Sequence, residues 1–163
     1  MSDHQIEQWF ELSALEQGGK ALECSDEHYG SIHNLLKPDR GVDMGDGWET
    51  RRRREPGYDW IILKLGHPGL IQKIEIDTAH YKGNFPHQVS INAASLPGDC
   101  DKNMAPRSLY WPEMLGMQLL QMDKQHYFEK EIKDIGPVSH IRINIHPDGG
   151  LSRVRFFGVK VPL

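Results

Sequence analysis

From Trp60 onward, apolar residues recur with a two-residue period, and no other feature restricts so sharply what this chain can fold into. Residues 70–77 alternate after their first two positions, with Ile74 and Ile76 on one face and Lys73, Glu75 and Asp77 on the other. Residues 88–92 alternate again, 126–132 and 153–161 carry strand patterns, and 140–145 alternate strictly. Residues 60–65 form an uninterrupted apolar run ended by Gly66, and Pro68-Gly69 reads as a turn. Residues 95–106 are polar and without period, which predicts a surface loop. Residues 109–123 are mixed, but Pro112 and Gly116 are poor helix residues and favour strand and turn. Short strands separated by turn residues predict an all-β fold, an antiparallel β-sandwich of jelly-roll or Greek-key type.

The N-terminal third is less regular. Residues 5–17 predict a short helix or an irregular arm, 21–25 a first strand, and 26–36 a helical turn stopped before Pro38, with Ser25 or Asp26 as its cap. A glycine-rich loop then runs to about Asp59. At 163 residues the chain is most simply one domain, 1–163, without internal repeat or linker. A net charge of −4 offers no field for nucleic acid or a membrane surface. Two cysteines, Cys24 and Cys100, are too few for a disulfide framework and lack metal-ligand spacing. The polar start, Met1-Ser-Asp-His-Gln5, carries no signal-peptide pattern, so a cytoplasmic location is expected.

The chemistry concentrates in Met44-Gly-Asp-Gly-Trp-Glu-Thr-Arg-Arg-Arg-Arg54. Guanidinium groups grip carboxylates and ureido oxygens through paired N–H donors. Glu49 beside Arg51 and Arg52 suits a general base or an orienting carboxylate, because neighbouring cations favour the charged form. The bland alternative is a solvated basic run with Trp48 as a core anchor. Three further groups stand out: Ser25-Asp-Glu-His28 with Asn34; Asp77 and His80 at a strand end, followed by Asn84; and His146-Pro-Asp-Gly-Gly-Leu-Ser-Arg153-Val-Arg155, whose two arginines share a strand face. Asp77 and His80 are too few for a metal site, which needs three or four ligands. An Asp–His hydrogen bond bracing a loop is the simpler expectation.

These motifs together resemble the allantoicase (allantoate amidinohydrolase) family. The resemblance is carried by Gly18-Gly-Lys20, Cys24-Ser-Asp-Glu-His28, Asn34-Leu-Leu36, the Met44 to Arg54 stretch, Asp59-Trp60, Ile74-Glu-Ile-Asp-Thr-Ala-His-Tyr-Lys-Gly-Asn84 and Pro147-Asp-Gly-Gly-Leu-Ser-Arg-Val-Arg155. Family members typically carry two jelly-roll repeats, and this chain is most similar to the second. The resemblance implies hydrolysis of allantoate to ureidoglycolate and urea in purine (allantoin) degradation. The partner expected is a small ureide, together with a second repeat or copies of the chain in a homo-oligomer. The catalytic roles fall to Glu49 as base and His80 as acid, with Asp77 orienting His80. Trp48, Asn84, Arg51, Arg52, Arg153 and Arg155 are the candidates for holding substrate. No cofactor is expected, and a divalent metal is unsupported by ligand spacing. The alternatives are a non-catalytic module of galactose-binding or discoidin type that binds a ureide or carbohydrate, and half of a two-repeat enzyme that is inactive alone.

Overall fold

The computed structural model describes residues 8–98 and 101–162, so Cys100 and the first part of the expected N-terminal arm lie outside the described residues. The rest of that arm is irregular: a two-residue strand β1 (Phe10–Glu11) followed by a single 3-10 turn over Leu15–Gln17. The strands that follow are β2 (Lys20–Cys24), β3 (Trp48–Glu49), β4 (Asp59–Asp77), β5 (Gln88–Ala94) and β6 (Glu113–Leu119). After them come β7 (Gln125–Phe128), β8 (Val138–His146), β9 (Gly150–Leu151) and β10 (Arg153–Lys160). All named pairings are antiparallel.

β4 organises the fold. Its first half pairs with β2 and β8, and its second half pairs with β10 and β7. One long strand therefore belongs to two layers, β2-β4-β8-β5-β6 and β1-β10-β4-β7, with a register break between Lys64 and Gly69 where it bends. This corrects the turn expected at Pro68-Gly69. The glycines there serve close approach instead of reversal: a Cβ on Gly66 would run into the backbone of Gln17, and one on Gly69 into Leu12 and the backbone of Val159.

The core lies between the layers. Ile61 and Leu63 from the first half of β4, Ile74 and Ile76 from its second half, Ile91, Ile141, Ile143, Val154 and Phe156 form one buried cluster. The two-residue period thus selected the inner faces, and the all-β jelly-roll sandwich read from it is the architecture observed. Several boundaries differ from the expectation. The strand predicted over 126–132 ends at Phe128, after which Ile132 makes only an isolated bridge to Leu115. The loop predicted over 95–106 runs into one helical turn, α1 (Met104–Ser108). The turn within 26–36 is a 3-10 turn, Ile32–Asn34, capped by Ser31 and not by Ser25 or Asp26.

The outward face of the second layer is unusual. Glu75 and Asp77 stand opposite Arg155 and Arg153 in register, and all four are buried. They are covered by residues 37–46, a strap laid across the sheet through polar contacts. Arg155 donates to the carbonyl oxygens of Lys37 and Asp39, and Arg40 clamps Asp77 with bonds of 3.0 and 3.1 Å.

Candidate functional site

The strap delivers the chain directly to β3, which pairs with β9 at one end of the sandwich. Here burial alternates: Trp48 and Thr50 point inward, while Glu49 and Arg51 point outward. Trp48 is fully buried and its indole N–H donates to the Asp26 carbonyl at 2.8 Å, so it anchors the loop to the core and presents no face to a ligand. The structure brings Glu49 and Asn84 together, a pairing that no sequence motif suggested, with Asn84 Nδ2 donating to Glu49 Oε2 at 2.6 Å. The Asn84 backbone is pinned by Gly150 N–H, and Glu49 N–H reaches the carbonyl of Gly30, so both side chains spring from fixed backbone.

Beyond β3 the arginine run lines a cavity of about 630 Å³ together with Ser25, Asp26, Tyr29, Glu55 and Asp59. Asp26 accepts from Arg51 N–H at 2.6 Å and lies 3.6 Å from its guanidinium, while Arg53 Nη1 donates to Asp59 at 3.0 Å. Arg52 and Arg54 are exposed and carry no ion pair with any described residue. The cavity is therefore cationic at its rim and acidic at its floor, a setting that accepts a small anion bearing N–H donors. Tyr29, Arg53, Arg54 and Asp59 were not singled out as site residues from the sequence. An acid shortly past four consecutive arginines, at the first position of an apolar strand, is the signal that could have found Asp59.

Three expectations are corrected. Asp77 does not orient His80: its carboxylate is fully buried and taken by Arg40 and the Ala79 N–H, whereas His80 Nε2 pairs with the Gly41 carbonyl at 2.7 Å. Arg153 is not a substrate clamp, since it is fully buried and holds the carbonyls of Asp39, Asp46 and Ser152 and the Asp46 carboxylate. Arg155 is likewise occupied, by Glu11 and the strap. The cause is common to all: the strap covers the face that the two-residue period turned outward. His80 itself is partly exposed at a left-handed φ of 75°, with its N–H on Asp123. Such strain in a non-glycine residue is a mark of functional positions. Among the described residues no cluster of three or more His, Cys, Asp and Glu is arranged to hold a metal ion.

The strap also carries a pH signature. The Lys37 ammonium at 2.7 Å holds the Asp46 carboxyl down to about 2, against the opposing effect of burial and with help from Arg153. A carboxyl depressed in the folded state contributes stability above its unfolded pKa and loses it as pH falls towards the folded value. Between pH 5 and 2.5, urea unfolding of the wild type is expected to lose about 1.5 kcal/mol more than that of Asp46→Asn. Parallel curves for the two proteins would refute this assignment. Burial lowers His126 and His146 as well, and their loss begins at higher pH and is common to both proteins.

The two-layered antiparallel sandwich, with β4 shared between its layers, defines a jelly-roll domain of discoidin-like fold. The serum fucolectin of striped bass (Morone saxatilis) shares this fold, with a TM-score of 0.71 at 16% identity over 95% of this chain and 50% of that one. Within the class, the chain belongs to the allantoicase family: the family profile described as "Allantoicase repeat" matches residues 10–161. It is 55% identical to a probable allantoicase of Burkholderia mallei over 91% of this chain and 44% of that protein. Against a probable allantoicase of Pseudomonas fluorescens it is 53% identical over 91% of its own length and 45% of the relative's. The crystal structure of Saccharomyces cerevisiae allantoicase superposes with a TM-score of 0.79 at 39% identity, covering 92% of this chain and 43% of that one. The chain thus spans about half the length of the relatives it matches.

Proposed function

We propose that this domain takes part in hydrolysing allantoate to ureidoglycolate and urea. The observation that carries the reading is the allantoicase-repeat match along nearly the whole chain. The cavity chemistry supports it: allantoate is a carboxylate on a carbon bearing two ureido groups, and the exposed guanidiniums of Arg51 and Arg52 suit its anionic end. Water adds to that carbon while a C–N bond breaks. Glu49, held by Asn84, takes the proton from water, and His80 supplies the proton that lets urea leave as a neutral molecule. Asn84 also offers its amide to a ureido group. Asp77, tied to Arg40, acts on the scaffold and not on the proton transfer.

Because the relatives are about twice as long, the working unit is proposed to pair this domain with a second allantoicase repeat or with copies of itself. The test is urea release from allantoate by the purified chain, with and without a chelator, alongside its mass in solution. Release at enzymatic rates is expected from the assembled form, and chelator sensitivity would add a metal to the scheme. A folded, assembled chain that binds allantoate without releasing urea would overturn the catalytic reading in favour of a binding module.

A further inference from the structure

We infer that Tyr81 is a positioning residue that fixes Glu49 relative to His80, an inference that rests on the reading of Glu49 as the base. Tyr81 is fully buried and follows His80 directly in the chain. Its ring lies against the backbone at two glycines, Gly47 and Gly150. A Cβ on Gly47 would come within 2.5 Å of the Tyr81 hydroxyl, and one on Gly150 would meet three atoms of the Tyr81 ring.

Backbone conformation does not explain these glycines. Gly47 is extended, at φ −145° and ψ −173°, and Gly150 lies in β9 without a positive φ. Any residue adopts such angles, so it is the ring that excludes a side chain. Both positions share a face with Glu49: Gly47 precedes it by two residues in extended chain, and Gly150 stands opposite it in register. The space that a side chain would take at either glycine is therefore on the Glu49 side of the β3–β9 ribbon, and Tyr81 fills it. This accounts for the second glycine of Gly45-Asp-Gly47 and the second of Gly149-Gly150, which the hydrolytic reading leaves unused.

The hydroxyl completes the link. It donates to the Met44 carbonyl at 2.7 Å, and Met44 Sδ lies 3.8 Å from Asn84 Nδ2, the same nitrogen that donates to Glu49. Burial, with the Glu49 and Asp46 carboxylates nearby, pushes the hydroxyl above its ordinary range, so it stays a donor at neutral pH. On the backbone side, Tyr81 N–H donates to the Thr78 carbonyl at 2.9 Å, and the Tyr81 carbonyl accepts from Asp123 N–H at 3.1 Å. The Asp123 carboxylate in turn accepts the His80 N–H at 2.8 Å. One rigid side chain thus spans from the turn that carries His80 to the ribbon that carries Glu49, and it sets their separation.

The experiment is a double-mutant cycle on urea release by the assembled chain, with Tyr81→Phe and Glu49→Gln. Tyr81→Phe keeps the ring and frees the Met44 carbonyl, and its kcat is expected to fall about ten-fold or more with KM within about two-fold of wild type. In the Glu49→Gln background the same change should cost less than about two-fold, because a residue that acts through Glu49 has nothing left to position. A general structural role would lower both backgrounds equally. Full turnover in Tyr81→Phe, or a loss carried undiminished into the Glu49→Gln background, overturns the positioning role and leaves Glu49 as the base. Full turnover in Glu49→Gln removes the base assignment, an assembled chain without turnover removes the hydrolytic reading, and the inference falls with either. Should circular dichroism show Tyr81→Phe unfolded, Gly150→Ala, which crowds the ring and leaves its hydroxyl in place, enters the cycle with the same expectation.

Discussion

Replacing Glu49 with Gln is expected to lower urea release by about 10²–10⁴-fold, the usual contribution of a general base. The substitution is nearly isosteric, and a Gln carbonyl still accepts from Asn84 Nδ2, which lies 2.6 Å from the native oxygen. The backbone at this position is paired on both sides, with Gly150 in β9 and with Gly30 through an isolated bridge. Stability should therefore change by less than about 1 kcal/mol, in the range of substitutions that break no buried network. The effect should fall on kcat, since the arginines proposed to hold the substrate carboxylate are elsewhere, in the cavity lining. Turnover assays beside a thermal melt separate the two quantities. A Glu49→Gln protein with full turnover would exclude this residue as the base.

Removing Arg153 should produce the largest loss of stability. Its guanidinium is fully buried and donates to three backbone carbonyls as well as to the carboxylate of Asp46, at 2.9 Å. Arg153→Leu keeps the volume apolar but strands these acceptors beneath the strap, and breaking a buried charge pair from one side costs about 3–5 kcal/mol. The bond from Arg153 to Asp39 adds little, because Asp39 is 74% exposed. Arg153→Lys should recover only part of the loss, since an ammonium cannot span acceptors arranged around a planar fork. Denaturant unfolding gives the answer directly, and a loss below about 1 kcal/mol in Arg153→Leu would show that the strap is held by other contacts. Activity should fall in parallel, because the strap runs straight into Trp48 and Glu49 and its Met44 carbonyl is bonded by Tyr81 at 2.7 Å.

The alternation in 70–77 and 140–145 was enough to name the inner face of two strands, since a strand repeats every second residue whatever it packs against. The arginine run, and Glu49 and Asn84 taken singly, were likewise legible as polar candidates, because their chemistry has little use in a core. Three things were not. Pro68-Gly69 carries the composition of a turn, yet β4 passes through it, because pairing partners on both sides outweigh local turn preference. Trp48 in a glycine-rich loop carries the composition of a site wall, yet the Asp26 carbonyl, 22 residues away, accepts its N–H and ties it into the core. Arg153 and Arg155 were placed on one face correctly, but what covers that face is a strap more than 100 residues earlier in the chain. Sequence by itself determined the strand period, the two-sided strands and the chemical character of the loops, all of which depend on near neighbours. Tertiary structure alone decided which outward charges became buried braces and which remained open at the cavity, because a side chain's partner is set by whichever distant segment comes to lie over it.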